Sequence, residues 1–283
     1  MKLIALDLDG TTLDSNKEIS EENLRAILKA QREGHIIMVL SGRAMNRIKP
    51  VLKKYGLKCH IGANNGASLY VNDELIHRTV FKPEQFRRIY LELEKEGIPY
   101  NITTNKGVFA PRDWGERLEK VLSSGLVPQE NYENRHFGIF TVLPTVHGHK
   151  LFDNIDDIIE EDSSVQKFMV LTLDPIQKKR LEETLGLIDE IHVASSSINI
   201  DMMHQDANKG NALKIMAEHF NIALKDTIAI GDEGNDITMF KVAGLAVAMS
   251  NATDEVKSHS NVVTLSNDED GVAYAINNYV LNT

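Results

Sequence analysis

The chain has 283 residues, 42% of them hydrophobic and 25% charged, with a formal net charge of −10. That is enough apolar material for one large or two moderate cores, and the acidic balance argues against nucleic acid as a partner, because a phosphate backbone wants a basic surface. A single cysteine, Cys59, rules out an intrachain disulfide and suits a reducing, cytoplasmic location.

Leu3 to Leu6 read as a buried strand that runs straight into Asp7, Asp9 and then Gly10-Thr11-Thr12. Asp7 breaks this apolar run, which therefore does not resemble a signal peptide. No other run approaches the roughly 20 apolar residues that span a bilayer, so no membrane partner is expected. Charged groups are seldom buried unless paired or metal-bound. Residues two apart on a strand face the same way. Asp7 and Asp9 are therefore expected to point into one small space at the strand's C-terminal end, the edge where open parallel α/β sheets bind ligands. Two carboxylates that close ask for a cation between them or a held proton. Oxygen donors suit Mg²⁺, and a carboxylate can attack phosphorus to give an aspartyl-phosphate.

Strand-like and helix-like segments then alternate, which argues for an α/β fold with a parallel sheet. Ser20 is a plausible N-cap, with Glu21 and Glu22 in the first turn, and Gly34 is a natural stop. Ile36 to Leu40 has the continuous apolar character of a strand buried on both faces, and it ends in Ser41-Gly42-Arg43. A hydroxyl and free N–H groups at the start of the following helix, predicted to run to about Tyr55, suit a phosphate oxygen. His60 to Ala63 is the next strand, ending in Asn64-Asn65-Gly66, and Asn72-Asp73 reads as the turn of a hairpin.

The character changes near Phe81-Lys82-Pro83. Helices are expected at 83–96, 116–122, 149–160 and 176–185, and strands at 100–103, 137–143 and 168–173. No acid-rich strand end recurs among them, so residues 82–193 read as an inserted domain, leaving 1–81 and 194–283 as the core. Strand–helix alternation resumes with a strand at 198–202 and a helix that opens at Lys209. A lysine there opposes the helix dipole, which a phosphate or carboxylate partner would explain; a plain surface lysine is the alternative reading. A buried strand at 227–230 ends in Gly231-Asp232-Glu233-Gly234-Asn235-Asp236. Asp232 and Asp236 are four apart and share a face on a helical turn. Two glycines permit close approach to a metal or phosphate.

These elements together resemble the haloacid dehalogenase-like phosphatases, and within them the Cof-type branch. The resemblance rests on Asp7-Leu8-Asp9-Gly10-Thr11, Ser41, Lys209-Gly210 and Gly231 to Asp236, in order and spacing. Asn65-Gly66-Ala67, Met249-Ser250-Asn251-Ala252 and Asn267 to Val272 add to it. It implies a Rossmann-like parallel-sheet core domain with an inserted α/β cap that supplies substrate contacts. It further implies that Asp7 is the nucleophile and Asp9 the general acid and base. Mg²⁺ would be held by the Asp7 and Asp232 carboxylates and the Asp9 carbonyl, with Asp236 supporting and Glu233 a further candidate. Ser41, the Leu8 and Gly42 N–H groups, Lys209 and Asn235 would bind phosphoryl oxygens. From its position after Ser41-Gly42, Arg43 either snorkels or faces the substrate.

The implied activity is Mg²⁺-dependent hydrolysis of small phosphorylated metabolites, sugar phosphates or cofactors such as flavin mononucleotide or pyridoxal phosphate, by a monomer or weak homo-oligomer. A phosphosugar mutase and a phosphosugar-binding sensor are the alternatives. Tyr100, Asn101, Arg112, Trp114 and His136 are candidates to line the cap. The stretch Met203 to Asn208 departs from the family pattern before the motif lysine, and His204 there is given no catalytic role.

Overall fold

The computed structural model describes residues 1–134, 136–159 and 164–281. The chain divides into two compact units, one of Met1–Thr79 with Asp206–Thr283 and one of Val80–Gln205.

The first half of the first unit carries β1 (Leu3–Leu6), α1 (Glu21–Arg32), β2 (Ile36–Leu40), α2 (Met45–Lys54), β3 (His60–Ala63), β4 (Ser68–Val71) and β5 (Glu74–Arg78). The Ser20 hydroxyl caps α1 by accepting from the Asn23 N–H at 3.1 Å. Asn72 and Asp73 both have positive φ, as a tight hairpin turn between β4 and β5 requires.

The second unit contains α3 (Pro83–Glu96), β6 (Tyr100–Thr104), β7 (Gly107–Pro111), α4 (Trp114–Leu122), α5 (Gln129–Tyr132), α6 (Phe137–Phe140), β8 (Lys150–Phe152), β9 (Val165–Leu171), α7 (Pro175–Leu185), β10 (Ile191–Ser195) and β11 (Asn199–His204). The first unit then resumes with α8 (Lys209–His219), β12 (Thr227–Gly231), α9 (Ile237–Phe240), β13 (Leu245–Ala248), α10 (Asp254–Ser258), β14 (Val262–Val263) and α11 (Gly271–Ile276).

The first unit's sheet runs β14-β13-β12-β1-β2-β3-β4-β5, parallel from β14 to β3 and antiparallel in the β4–β5 extension. Both faces are covered. Ile4, Leu6, Ile37, Val39, Ile228 and Ile230 pack on one side with Ile27 of α1 and Ile276 of α11. Leu3, Ala5, Met38, Leu40 and Ala229 pack on the other with Leu213 and Met216 of α8 and Phe240 of α9. Two-sided burial explains why these strands read as continuous apolar runs. The chain leaves β1 toward β2 and later returns to its other side as β12, so β1 lies at the topological switch point. Leu6 is level with both Val39 and Ile230. The loops after β1, β2 and β12 therefore begin side by side.

The second unit's sheet runs β10-β11-β9-β6-β7-β8. Tyr100, Ile102, Phe168, Val170, Ile200 and Met202 pack with Ile89 and Leu93 of α3 and Leu181 and Leu185 of α7. From sequence, the strand at 198–202 is expected to restart the core domain. Instead β11 pairs with β9 and β10, because Ile200 and Met202 alternate into this second core. Two other expectations fail here. The apolar run 137–143 is expected as a strand but contains the short helix α6, and the helix expected at 149–160 is β8 followed by a 3-10 turn at Ile155–Asp157. Its last residue, Glu160, lies outside the described residues. Among the described residues no helix is long and apolar enough to cross a membrane.

Candidate active site

The site is built where the three adjacent loops meet. The Asp7 N–H donates to the Ile230 carbonyl at 3.0 Å, extending the sheet register one residue past β1. Its carbonyl accepts from the Thr12 hydroxyl at 2.5 Å, which closes the turn beneath it. The Asp7 carboxylate is buried and accepts from Lys209 Nζ at 2.5 Å. The same ammonium donates to Asp236 Oδ1 at 2.6 Å. Lys209 and Asp236 are both 0% exposed. The two carboxylates account for a lysine at the first position of α8. Its helix is capped independently by Asn208, whose side chain accepts from the Asn211 N–H at 2.9 Å.

Asp236 uses its other oxygen to accept from the N–H groups of Asp232 and Glu233, both at 2.9 Å. It thus shapes the loop after β12 and aims Lys209 at Asp7. Asp232 accepts from the Thr11 hydroxyl at 2.6 Å and from Asn251 Nδ2 at 3.4 Å. Gly10 has φ +79°, and a Cβ there would stand 2.2 Å from Asp232 Oδ2. Only glycine permits this approach.

The electrostatics of the cluster are unbalanced. Three carboxylates, Asp7, Asp232 and Asp236, face one ammonium. Burial raises the Asp7 carboxyl, the Lys209 charge pulls it back, and the Asp236 and Asp232 charges push it up again, to about 7. Asp232 is raised to about 6 by burial and by the Asp236 and Glu233 charges, against the hydrogen bond from Thr11. Burial alone would discharge Lys209, but its two carboxylate partners outweigh that and hold it charged. One carboxylate oxygen from each of Asp7, Asp232 and Asp236 lies within 4.8 Å of the others. A buried, all-oxygen, net-negative donor set fits a hard divalent cation.

Asp9 goes elsewhere. Arg43 forks onto its carboxylate, Nε to Oδ2 at 2.7 Å and Nη2 to Oδ1 at 2.6 Å, and Lys17 Nζ is 3.1 Å from Oδ1. The premise of a shared strand face does not hold for Asp7 and Asp9. β1 ends at Leu6 and the chain turns, so strand alternation no longer governs residue 9. Arg43, a candidate to face the substrate, is paired with Asp9. The start of α2 also differs, since it begins at Met45 with Ala44 as its cap, leaving Ser41 and Gly42 in the preceding loop. Ser41 is buried, and its hydroxyl accepts from the Arg43 N–H at 3.2 Å. The Leu8 side chain is wholly buried in the core. Glu233 and Asn235 are exposed, and Asn235 Nδ2 donates to Asn65 Oδ1 at 3.0 Å.

Sequence reasoning placed Thr11, Asn251 and Asn65 inside motifs without a role at the site. Thr11 and Asn251 hold Asp232, and the hydroxyl after Gly10 was the available signal. Of the cap candidates, Tyr100 and Trp114 are core residues, Arg112 forks onto Asp153 at 2.8 and 2.9 Å, Asn101 is buried, and His136 precedes α6. His204 ends β11 in the second unit.

A family profile for haloacid dehalogenase-like hydrolases matches residues 4–276. The chain is 31% identical over 281 residues to Phosphatase YwpJ of Bacillus subtilis, covering 97% of this chain and 98% of that protein. It is 33% identical over 279 residues to 5-amino-6-(5-phospho-D-ribitylamino)uracil phosphatase YwtE of the same organism, covering 98% and 97%. Among solved structures, a haloacid dehalogenase-like hydrolase from B. subtilis matches with a TM-score of 0.78 at 29% identity, over 99% of this chain and 100% of that one.

Proposed function

Because the chain belongs to the haloacid dehalogenase-like hydrolases and is a phosphatase, we propose that it hydrolyses small phosphorylated metabolites with Mg²⁺ as cofactor and Asp7 as nucleophile. The observation that carries this reading is the buried cluster in which Lys209, aimed by Asp236, holds the Asp7 carboxylate beside Asp232. The Asp7 and Asp232 carboxylates and the Asp9 carbonyl would hold Mg²⁺. Asp236, with both oxygens already engaged, supports the loop, and Glu233 is a further candidate donor. Bound there, Mg²⁺ supplies charge neutralisation and Lewis acidity toward a phosphoryl oxygen.

Asp7 Oδ forms a bond to phosphorus in line as the ester P–O bond breaks, and the leaving alkoxide takes the Asp9 proton. Asp9, now a carboxylate, takes a proton from water as the water oxygen attacks phosphorus and releases Asp7 with inorganic phosphate. Lys209, Ser41, Asn235 and the Leu8 and Gly42 N–H groups bind the phosphoryl oxygens and stabilise their transition-state charge. Arg43 holds Asp9 ionised in the present geometry, and an ester phosphate is a competing anion for that guanidinium. Its transfer to the phosphate lets Asp9 take up a proton from solvent, which it then gives to the leaving oxygen. We assign the choice of ester to residues 80–205.

The test is inorganic phosphate release from sugar phosphates, nucleotides, flavin mononucleotide, pyridoxal phosphate and the phosphoribitylaminouracil ester named for the relative YwtE. Each is run with Mg²⁺ and with chelator, for wild type and Asp7→Asn. Release that needs Mg²⁺ and is abolished in Asp7→Asn is the expected result. A folded, Mg²⁺-loaded wild type that releases phosphate from none of them would overturn the reading.

A further inference from the structure

We propose that Asn65 is a positioning residue for phosphate binding: it orients the Asn235 amide from a turn that braces all three phosphate-binding segments. The proposal rests on the phosphate-site reading above.

Asn64, Asn65 and Gly66 have φ of 50°, 57° and 91°. They belong to the connection between the paired residues Ala63 of β3 and Ser68 of β4. A four-residue hairpin connection is most often built on a type I turn, with negative φ at its centre. Three successive left-handed residues, two of them not glycine, are more strain than the connection needs. Such strain persists only where the surroundings over-determine it.

The surroundings are the proposed phosphate loops. The Asn64 N–H donates to the Arg43 carbonyl and the Asn65 N–H to the Ser41 carbonyl, both at 2.9 Å, so the turn is tied by backbone to the loop after β2. A Cβ on Gly66 would stand 2.5 Å from Ala212 Cβ and 2.9 Å from the Asn208 carbonyl oxygen. The turn therefore abuts the first turn of α8, beside Lys209. Asn65 Oδ1 accepts from Asn235 Nδ2 at 3.0 Å, and it lies 3.2 Å from where a Gly42 Cβ would stand.

One turn thus touches Ser41–Arg43, the start of α8 and Asn235. Asn235 is exposed on a 3-10 turn of three residues, Gly234–Asp236, that by itself leaves the side chain free to rotate. An amide nitrogen has two hydrogens. Asn65 engages one, which fixes the plane of the amide and directs the other toward an anion. Ordering the donor before the ligand arrives removes part of the entropy cost of binding. Left-handed geometry at residue 65 is what aims its oxygen across the gap, and asparagine is the side chain that tolerates that geometry and carries an acceptor.

The experiment measures inorganic phosphate affinity by titration calorimetry with Mg²⁺ present, together with melting temperature, for wild type, Asn65→Gly, Asn235→Ala and the double variant. Glycine at 65 keeps the left-handed backbone and removes only the amide, so Asn65→Gly should melt with wild type. Each single change should weaken phosphate binding about tenfold, the loss expected for one hydrogen bond to a charged group. The double variant should bind no more weakly than Asn235→Ala, because Asn65 acts through Asn235. Wild-type affinity in Asn65→Gly, or losses that multiply in the double variant, would overturn the inference while leaving the phosphatase reading intact. A wild type that neither binds phosphate nor releases it from any ester would overturn both.

Discussion

Arg43 is forked onto Asp9, with both of its bonds 2.7 Å or shorter. Partial burial pushes the Asp9 carboxyl up, but the Arg43 hydrogen bonds and charge, with those of Lys17, outweigh it and leave the group lowered. The proposed acid is thus stored as a carboxylate, and a phosphate that claims Arg43 releases it. Arg43→Gln removes the charge and keeps a donor. It should raise KM for the preferred ester about tenfold to a hundredfold, the worth of roughly 1.5–3 kcal/mol for a charge-assisted bond, with a smaller change in kcat. Steady-state kinetics decide it. A KM equal to wild type would remove Arg43 from phosphate recognition.

Lys209 is the cation held between two buried carboxylates. Removing one partner of a buried ionic network typically costs about 3–5 kcal/mol, because the remaining charges are stranded. Lys209→Met should therefore lower the urea midpoint followed by circular dichroism. Lys209→Met with Asp236→Asn removes one of the stranded charges and should recover part of the loss. Independent, additive losses would show that the pair is not coupled as the geometry requires.

The proposed cation site carries a thermodynamic prediction as well. A ligand that binds only the folded state stabilises it by RT ln(1 + [L]/Kd), about 2.7 kcal/mol at a hundredfold excess over Kd. Mg²⁺ should raise the melting temperature of wild type by several degrees, and Asp232→Asn should abolish the shift. Gly10→Ala should weaken it too, since the added methyl collides with Asp232 Oδ2 and a positive φ becomes strained. A full Mg²⁺ shift in Asp232→Asn would place the cation elsewhere.

Much of this was legible in the sequence, and the reasons are physical. The runs at Leu3–Leu6, Ile36–Leu40 and Thr227–Gly231 are central parallel strands buried on both faces, so their apolar character is continuous and their ends abrupt. The acids that follow them could be named because a buried strand end seldom carries charge without purpose. What failed depended on partners far away in the chain. Residues 137–143 have the composition of a strand, but short apolar runs do not distinguish strand from helix. Lys150–Phe152 is a strand only because β7 offers it a parallel edge, and β11 joined the second sheet because β9 and β10 flank it. At the site, residue types and loops were readable, while the pairing of Arg43 with Asp9 across 34 positions was not. Neither was the bracing of Asn235 by Asn65 across 170.

Cys59, just before β3, gives a pH prediction with a definite sign. Burial pushes its thiol up to about 12, against a hydrogen bond from Gln31 Nε2 to Sγ at 3.8 Å. An unfolded cysteine ionises near 8.5. At pH 8–9 the native thiol therefore stays protonated and should react slowly with iodoacetamide, since the thiolate is the nucleophile. Unfolding in urea at the same pH should speed alkylation many-fold. By linkage, this thiol's contribution to stability is complete below roughly pH 8.5 and declines as pH rises toward 12, where the unfolded chain ionises first. Cys59 is only partly buried, and equal alkylation rates in native and unfolded protein would show that this burial does not shield the thiol.

The second unit has its own ionic keystone, and the chain's one tryptophan reports on it. Arg117 places Nη1 and Nη2 2.9 Å from the two Glu94 oxygens and Nε 2.8 Å from Asp113. Its guanidinium lies 5.5 Å over the Tyr100 ring, and the Tyr100 hydroxyl donates to Glu94 at 2.7 Å. α3, β6 and α4 are thereby tied through one nearly buried cation. Arg117→Met keeps most of the apolar stem but takes the guanidinium away from both Glu94 and Asp113, so the expected cost is about 2–4 kcal/mol. Trp114 is buried one turn earlier on α4. Its fluorescence should report an earlier urea transition in Arg117→Met, while the Mg²⁺-dependent stabilisation of the first unit, followed by circular dichroism, persists. A tryptophan transition unchanged from wild type would show that the network contributes no more than an exposed surface ion pair, which is worth at most about 1 kcal/mol.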